Sequence, residues 1–391
     1  PSEDRDRQGA VGQSRPRSCG CLGSPNAAKR GIAARRAGKE SAGGAGLRRR
    51  PMESEKDSVT EEDNSTLVTI PGLGEISAEA GMKTLDACSD GIHRVGADGV
   101  ESVAATGDGK VEFIAWPTHS LAYVKSAMGY PAYYPVQEVR IDTPVKAVLM
   151  DLDGTSVRSE TFWIWIIERT TASLLGDESF RLAEEDTPFV SGHSVSEHLQ
   201  YAIGKYAPDR TVEEARHYYF EHTRREMKEI LAGRGKADAF TPTPGLKEFL
   251  LELKRRDIQI GLVTSGLWEK AWPEIVSAFR QLDMGDPAEF YDAIITAGYP
   301  LQKGSAGTLG ELSPKPHPWL YAEVCRVGLG IDPSERHRVI GIEDSGAGIC
   351  SVRLAGFAAV GFAGGNIEES GTRALCSAWA DTLEDVLGLL S

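Results

Sequence analysis

Asp151 and Asp153 stand one residue apart in the run Asp151-Leu152-Asp153-Gly154-Thr155, directly after the apolar stretch from Val145 to Met150. Such a stretch reads as a buried strand, and the glycine after the second acid lets the chain turn sharply. Two carboxylates so close repel each other unless a cation sits between them. Magnesium supplies that compensation, since it prefers oxygen ligands and takes phosphate as a further partner. A carboxylate held against magnesium and a bound phosphoryl group can attack phosphorus to give an aspartyl phosphate, while the other carboxylate protonates the leaving oxygen. Read alone, the same run also fits an Asx-type turn or a calcium loop.

Three further clusters narrow that choice. Thr264-Ser265-Gly266 offers hydroxyls and exposed backbone N–H groups at the end of a second apolar run, a setting suited to phosphate oxygens. Lys315, in Ser313-Pro-Lys-Pro-His-Pro318, is a cation held between prolines and able to neutralise charge on a phosphoryl group and its nucleophile. Glu343-Asp344, in Gly341-Ile-Glu-Asp-Ser-Gly-Ala-Gly348, is a second acidic pair able to complete a magnesium shell.

In this order the four clusters resemble the haloacid dehalogenase-like (HAD) superfamily over about residues 145–391. The resemblance implies Asp151 as nucleophile and Asp153 as general acid and base. It implies magnesium held by Asp151, the backbone carbonyl of Asp153 and Asp344, with Glu343 supporting that shell, and phosphate held by Thr264, Ser265 and Lys315. The Lys315-Pro-His-Pro and Glu343-Asp344 segments lean toward the β-phosphoglucomutase-like branch, which contains phosphatases as well as mutases. The presence of Asp153 favours a phosphate ester over a haloacid or phosphonate. Mutases of that branch have an arginine directly after the cap's Gly-x-Ser and a Lys-Asn pair after the second motif. Here Gly192-His193-Ser194 is followed by Val195, and Leu267-Trp268 stands in place of Lys-Asn. His193 and Arg158 are the possible substitutes. The expected function is a magnesium-dependent phosphatase of a small phosphorylated metabolite. A sugar-phosphate mutase is the alternative, and a non-catalytic binding or regulatory protein is the alternative of another class.

These residues need a scaffold that brings strand ends together. Apolar runs at Val145–Met150, Ile258–Val263, Tyr291–Ile295, Arg338–Ile342 and Ala358–Phe362 alternate with amphipathic helical patterns, the signature of a parallel α/β sheet. The expected fold class is α/β, with a Rossmann-like parallel core at 145–158 and 240–391. The helical block at 159–239 looks like the family's mobile cap. Its Phe162–Ile167 run is apolar on all sides and reads as cap core and hinge packing, with Trp163 the residue placed to reach substrate. The stretch 52–144 reads as a small β-containing extension, with strands on either side of the Gly107-Asp108-Gly109 turn. Its Trp116, Tyr130, Tyr133 and Tyr134 are expected to glue it to the next domain, and His93 and His119 to be structural. The Gly- and Ser-rich run Leu301–Leu312 reads as a surface loop.

Apolar residues make up 41% of the 391 residues, enough for at least one large core. Residues 1–51 hold 12 Lys/Arg against 4 Asp/Glu, so the net charge of −14 becomes −22 for the remainder, which disfavours nucleic acid as a partner of the folded part. That basic tail is expected to be disordered or not to belong to the natural product. The six cysteines form neither a disulfide framework nor a zinc pattern. No run approaches a membrane span, no apolar leader is visible, and the expected compartment is the cytoplasm.

Overall fold

The computed structural model describes residues 68–77, 80–125, 131–190, 195–236, 238–298 and 313–390. The expectations for residues 1–51, Tyr130, 192–194 and 301–312 lie outside them.

Seven short strands come first: β1 (Val68–Ile70), β2 (Gly74–Ile76), β3 (Lys83–Leu85), β4 (Ser102–Ala105), β5 (Val111–Ala115), β6 (Ser120–Val124) and β7 (Ala132–Pro135). β1 pairs with β2, and β3 to β7 form an antiparallel meander in chain order. The expected turn joins β4 to β5. There Thr106 Oγ1 donates to Asp108 Oδ1 at 2.6 Å, and Gly109 adopts φ +69°, a backbone state that glycine reaches without a Cβ penalty.

β8 (Ala147–Asp151) opens a second sheet, and the chain then leaves it through β9 (Val157–Arg158). Three helices follow, α1 (Glu160–Leu175), α2 (Val195–Tyr206) and α3 (Val212–Leu231), before β10 (Thr241–Pro242) pairs antiparallel with β9. Exit and re-entry of the helical block therefore lie side by side. The block is knotted by Asp186, fully buried, which accepts hydrogen bonds from the Tyr201 and Tyr206 hydroxyls and the Lys205 ammonium. The remaining elements alternate: α4 (Leu246–Arg255), β11 (Gln259–Leu267), α5 (Trp268–Leu282), α6 (Pro287–Phe290), β12 (Ala293–Gly298), α7 (Trp319–Glu323), β13 (Val339–Glu343), α8 (Gly346–Leu354), β14 (Ala358–Phe362), β15 (Ala378–Ala380) and α9 (Leu383–Leu389).

The second sheet is parallel throughout, with strand order β12-β11-β8-β13-β14-β15. All five expected strands are present. β11 runs on through Thr264 to Leu267, past the end of its apolar run, because parallel pairing with β12 resumes at Leu267↔Gly298 after an irregularity. The edge strand β15 was not expected: three residues, Ala378-Trp379-Ala380, carry too little pattern.

β8 lies between β11 and β13, so the strand order reverses there, and open α/β sheets place their ligands outside the carboxyl ends at such a reversal. Its residues alternate between two cores. Val148 and Met150 face α4, α5, α9 and the helical block, whereas Ala147 and Leu149 face α7, α8 and the N-terminal strands. A strand covered on both sides has to be apolar throughout, which explains the unbroken run that made it legible. Ile70, Val111, Phe113 and Val124 share one buried cluster with Leu149, Leu320 and Tyr321, so the N-terminal meander packs on the same face of the parallel sheet as α7 and α8.

The aromatic residues of the meander divide. Tyr134 reaches His317 and Trp319 beside α7, as a docking residue should. Trp116 and Tyr133 instead flank His93 edge-on, and His119 stacks on Trp116 with ring centroids 4.9 Å apart. His93 Nδ1 lies 2.6 Å from Asp90 Oδ2, and this cluster is internal glue of the meander. No helix among the described residues is long and apolar enough to cross a membrane.

Phe113 is 1% exposed in the shared cluster. Phe113→Ala is expected to cost roughly 3–5 kcal/mol, seen as a lower urea midpoint with unchanged slope. A midpoint equal to that of the unmodified protein would show that the meander does not contribute to the common core.

Candidate active site

The carboxyl ends of β8 and β13, with the loop before α7, bring the sequence motifs together. Asp151 ends β8 at 5% exposure, and Glu343 ends β13 fully buried, with Asp344 next to it. Ligand oxygens of Asp151, Glu343 and Asp344 lie within 4.8 Å of one another. Among the described residues this is the one cluster of acids, histidines or cysteines that offers a metal-sized set. Lys315 reaches in from its loop, with its ammonium bonded to Asp151 Oδ1 and 2.5 Å from Glu343 Oε1.

The electrostatics follow from burial. Desolvation, and after it the charge of Glu343, pushes the Asp151 carboxyl well above the ordinary carboxylate range, while Lys315 opposes the rise. The same causes push Asp344 up to about 7. Burial by itself would lower the Lys315 pKa, but Asp151 and Glu343 outweigh it, and the ammonium is held charged. A buried acid cluster with all its oxygens from carboxylates, and with one lysine offsetting it, fits a hard divalent cation such as magnesium. Asp151, Glu343 and Asp344 would hold the ion.

Neighbouring hydroxyls hold several of these residues' oxygens. Ser156 Oγ donates to the Asp151 carbonyl at 2.5 Å, Thr155 Oγ1 to Asp344 Oδ1 at 3.4 Å, and Ser345 Oγ to Glu343 Oε2 at 3.1 Å. Tyr321 Oη donates to Glu343 Oε1 at 2.5 Å. Two glycines make room. A Cβ on Gly154, whose φ is +86°, would lie 2.0 Å from Asp344 Oδ2, and one on Gly348 would lie 1.9 Å from the Glu343 carboxyl.

Asp153 stands apart from the three-acid cluster. Its Oδ1 accepts a 2.5 Å hydrogen bond from Ser159 Oγ at the start of α1, so the side chain expected to handle protons is tied to the entry of the helical block. Thr264 is buried at the end of β11, where its Oγ1 accepts from Gly266 N at 2.9 Å. Ser265 is exposed, and its Oγ accepts from Lys315 N at 3.1 Å. In this arrangement the Ser265 hydroxyl steadies the lysine loop. Val195 is half-buried and packs against the core, Arg158 is exposed in β9, and Leu267 and Trp268 carry no cation.

Two residues that the sequence reasoning passed over sit on the facing side. Lys270, on α5, donates to Tyr219 Oη at 3.2 Å and lies 3.7 Å from the centre of the Trp163 ring, so it joins the core to α1 and α3. Glu274, one turn further, is 1% exposed, and its Oε2 has no hydrogen-bond partner among the described residues. Burial and then the charge of Asp153 push its carboxyl well above the usual range, against the pull of Lys270. The i, i+4 spacing of Lys270 and Glu274 was visible, but it reads as an ordinary surface pair unless the helix is known to face the site. The apolar α1 run behaves as expected in part: Phe162, Ile166 and Ile167 are buried, Phe162 packs on Phe240 beside β10, and Trp163 is half-buried beneath Lys270.

A family model described as a hydrolase, haloacid dehalogenase-like hydrolase, matches residues 145–356. A search of curated proteins finds no match. Among solved structures, similarity extends to a predicted phosphoglycolate phosphatase from Haemophilus somnus, 18% identical over 64% of this chain and 99% of that one, with a TM-score of 0.48. CbbY from Rhodobacter sphaeroides in complex with phosphate is 22% identical over 63% of this chain and 99% of its own, with a TM-score of 0.44. A β-phosphoglucomutase from Clostridium difficile is 22% identical over 63% and 97%, with a TM-score of 0.39.

Gly154→Ala is expected to leave the fold intact but displace Asp344, with a loss of turnover of about a hundredfold and weaker binding of magnesium. Calorimetric titration with magnesium and steady-state assays check both. Unchanged metal affinity would show that the site tolerates a Cβ there.

Proposed function

The chain belongs to the haloacid dehalogenase-like hydrolases, whose model covers more than half of it, and we propose that it is a magnesium-dependent phosphatase acting on a small phosphate monoester. The observation that carries this reading is the position of Lys315, whose ammonium bonds Asp151 and lies 2.5 Å from Glu343 at the meeting point of the acidic strand ends. An enzyme that must bring a dianionic phosphoryl group against a carboxylate needs a cation at that place.

In the proposed reaction Asp151 attacks phosphorus, the ester P–O bond breaks, and the leaving oxygen takes a proton from Asp153. Water then attacks phosphorus of the aspartyl phosphate, gives its proton to Asp153 and releases inorganic phosphate. Lys315 neutralises the phosphoryl oxygens and opposes the rise that burial and Glu343 impose on the Asp151 carboxyl, which favours its ionised form. Thr264, with the backbone N–H groups of its loop, binds phosphoryl oxygens, and Ser265 acts through the backbone of Lys315. Magnesium, when bound by the three carboxylates, supplies further charge neutralisation on nucleophile and phosphoryl group. The block 159–239 serves as the cap that excludes water from the site, with Lys270 and Trp163 at its seam with the core.

A second reading, a sugar-phosphate mutase, is favoured by Lys270. A mutase must hold a second phosphate, and the positions after the second motif carry Leu267 and Trp268, but Lys270 brings a cation to the seam between α5 and the helical block. Its existing bond to Tyr219 and its place over Trp163 favour a role in joining cap to core, and the phosphatase reading stands first.

Asp151→Asn is expected to fold normally and lose turnover by about a thousandfold or more, because the amide cannot form the acyl phosphate. Chelation should abolish the activity of the unmodified protein and added magnesium restore it, and substantial turnover in either case would end the reading. Free phosphate and the conversion of β-glucose 1-phosphate to glucose 6-phosphate, assayed together, separate the two functions. Phosphate release without need of a bisphosphate activator is expected, and isomerisation that outpaces release would favour the mutase.

A further inference from the structure

The loop that carries Lys315 is held at three points. Ser265 Oγ accepts from Lys315 N at 3.1 Å, and Ser351 Oγ, buried on α8, donates to the His317 carbonyl at 2.6 Å. The third point comes from elsewhere in the chain. Tyr134, on the edge strand β7, places its hydroxyl 2.8 Å from His317 Nδ1, with the two rings edge-on at 5.8 Å. Trp319, just beyond the loop, packs edge-on against the same tyrosine at 6.1 Å.

His317 is 2% exposed, and its other ring nitrogen, Nε2, is buried without a partner among the described residues. The Tyr134 hydroxyl is therefore the polar contact that fixes the plane of this ring. Without it both ring nitrogens would be buried and unpaired, a condition proteins relieve by moving the group toward water or another partner. His317 is two residues from Lys315, so such a movement displaces the ammonium that bridges Asp151 and Glu343. Tyr134 lies before residue 145, outside the stretch that the family model matches, so this contact belongs to the chain's own N-terminal meander.

We propose that the N-terminal meander positions the Lys315 loop for turnover, with Tyr134 as the positioning residue that acts through His317. The inference rests on the reading of Lys315 given above. It assigns the meander a part in catalysis in addition to its part in the core, since β7 holds a loop whose tip enters the site. The effect belongs to the chemical step, because Lys315 touches the nucleophile, and it should lower kcat more than it raises KM.

The test compares full-length protein with Tyr134→Phe, His317→Phe, the double variant and Lys315→Ala. Turnover of p-nitrophenyl phosphate with magnesium is measured beside thermal unfolding, and inorganic phosphate is titrated with magnesium to give a readout independent of turnover. Tyr134→Phe keeps the ring and its packing, so Tm should stay within a few degrees. We expect kcat to fall about tenfold, the effect of one ordinary hydrogen bond, with a smaller rise in KM and a matching weakening of phosphate binding. The double variant should be no worse than His317→Phe alone, since the two residues act as a unit. Unchanged turnover and phosphate affinity in Tyr134→Phe overturn the proposal. So does a loss that disappears at a lower temperature where the variant is fully folded, because that marks a purely structural role. Lys315→Ala separates the two readings: full turnover there would mean that the site assignment itself has failed, whereas loss of turnover there with none in Tyr134→Phe leaves the site standing and removes only the positioning role.

Discussion

The fold is arranged around an excess of buried negative charge. Asp151, Glu343 and Asp344 meet at the ends of two neighbouring strands, largely buried, where like charges repel strongly and desolvation favours the protonated forms. The Lys315 ammonium between Asp151 and Glu343 offsets part of that cost, and the hydroxyls of Thr155, Ser345 and Tyr321 take up more of the carboxylate oxygens. What remains uncompensated is what makes the site receptive to a divalent cation. The lysine opposes, without cancelling, the rise that burial and Glu343 impose on the Asp151 carboxyl.

The sheet supplies the geometry for that cluster. With β8 between β11 and β13, three carboxyl ends converge where the strand order reverses, and each contributes one chemical part: the acid of β8, the hydroxyl of β11, the acidic pair after β13. Because β8 is covered on both faces, Asp151 stands at the tip of a strand buried along its whole length. The helical block joins the sheet at one place. β9 and β10 form a narrow two-stranded stalk, and Ser159 at the top of it bonds Asp153, so Asp153 is linked to the stalk and Asp151 to the sheet.

Packing of the N-terminal meander gives the loop before α7 a second wall. The meander shares a core with Leu149 and Tyr321, which belong respectively to the strand that ends in Asp151 and to the hydrogen bond on Glu343. One buried cluster thus runs from the meander to within a residue or two of the acids. A segment with that much common core is a part of the enzyme's architecture in the same sense as α7 and α8.

The sequence by itself determined the α/β class, the five main strands and the motifs from which Asp151, Lys315, Glu343 and Asp344 meet, because both signals are local. A strand buried on both faces must be apolar along its length, and acids or a lysine at its end stand out against that run. Lys270, Glu274, Ser159 and Tyr321 were not legible. Each is an ordinary residue on or beside a helix or turn, and its meaning comes from which face the helix turns toward the site. Tyr134 was legible as a docking aromatic, but its partner His317, far off in the chain, was not, and Ser265 was legible in its motif but not the turn of its hydroxyl to the lysine loop. Only the tertiary structure decided these, because burial and contact across the fold depend on how elements pack, and packing is set by many side chains at once and leaves no mark at any single position.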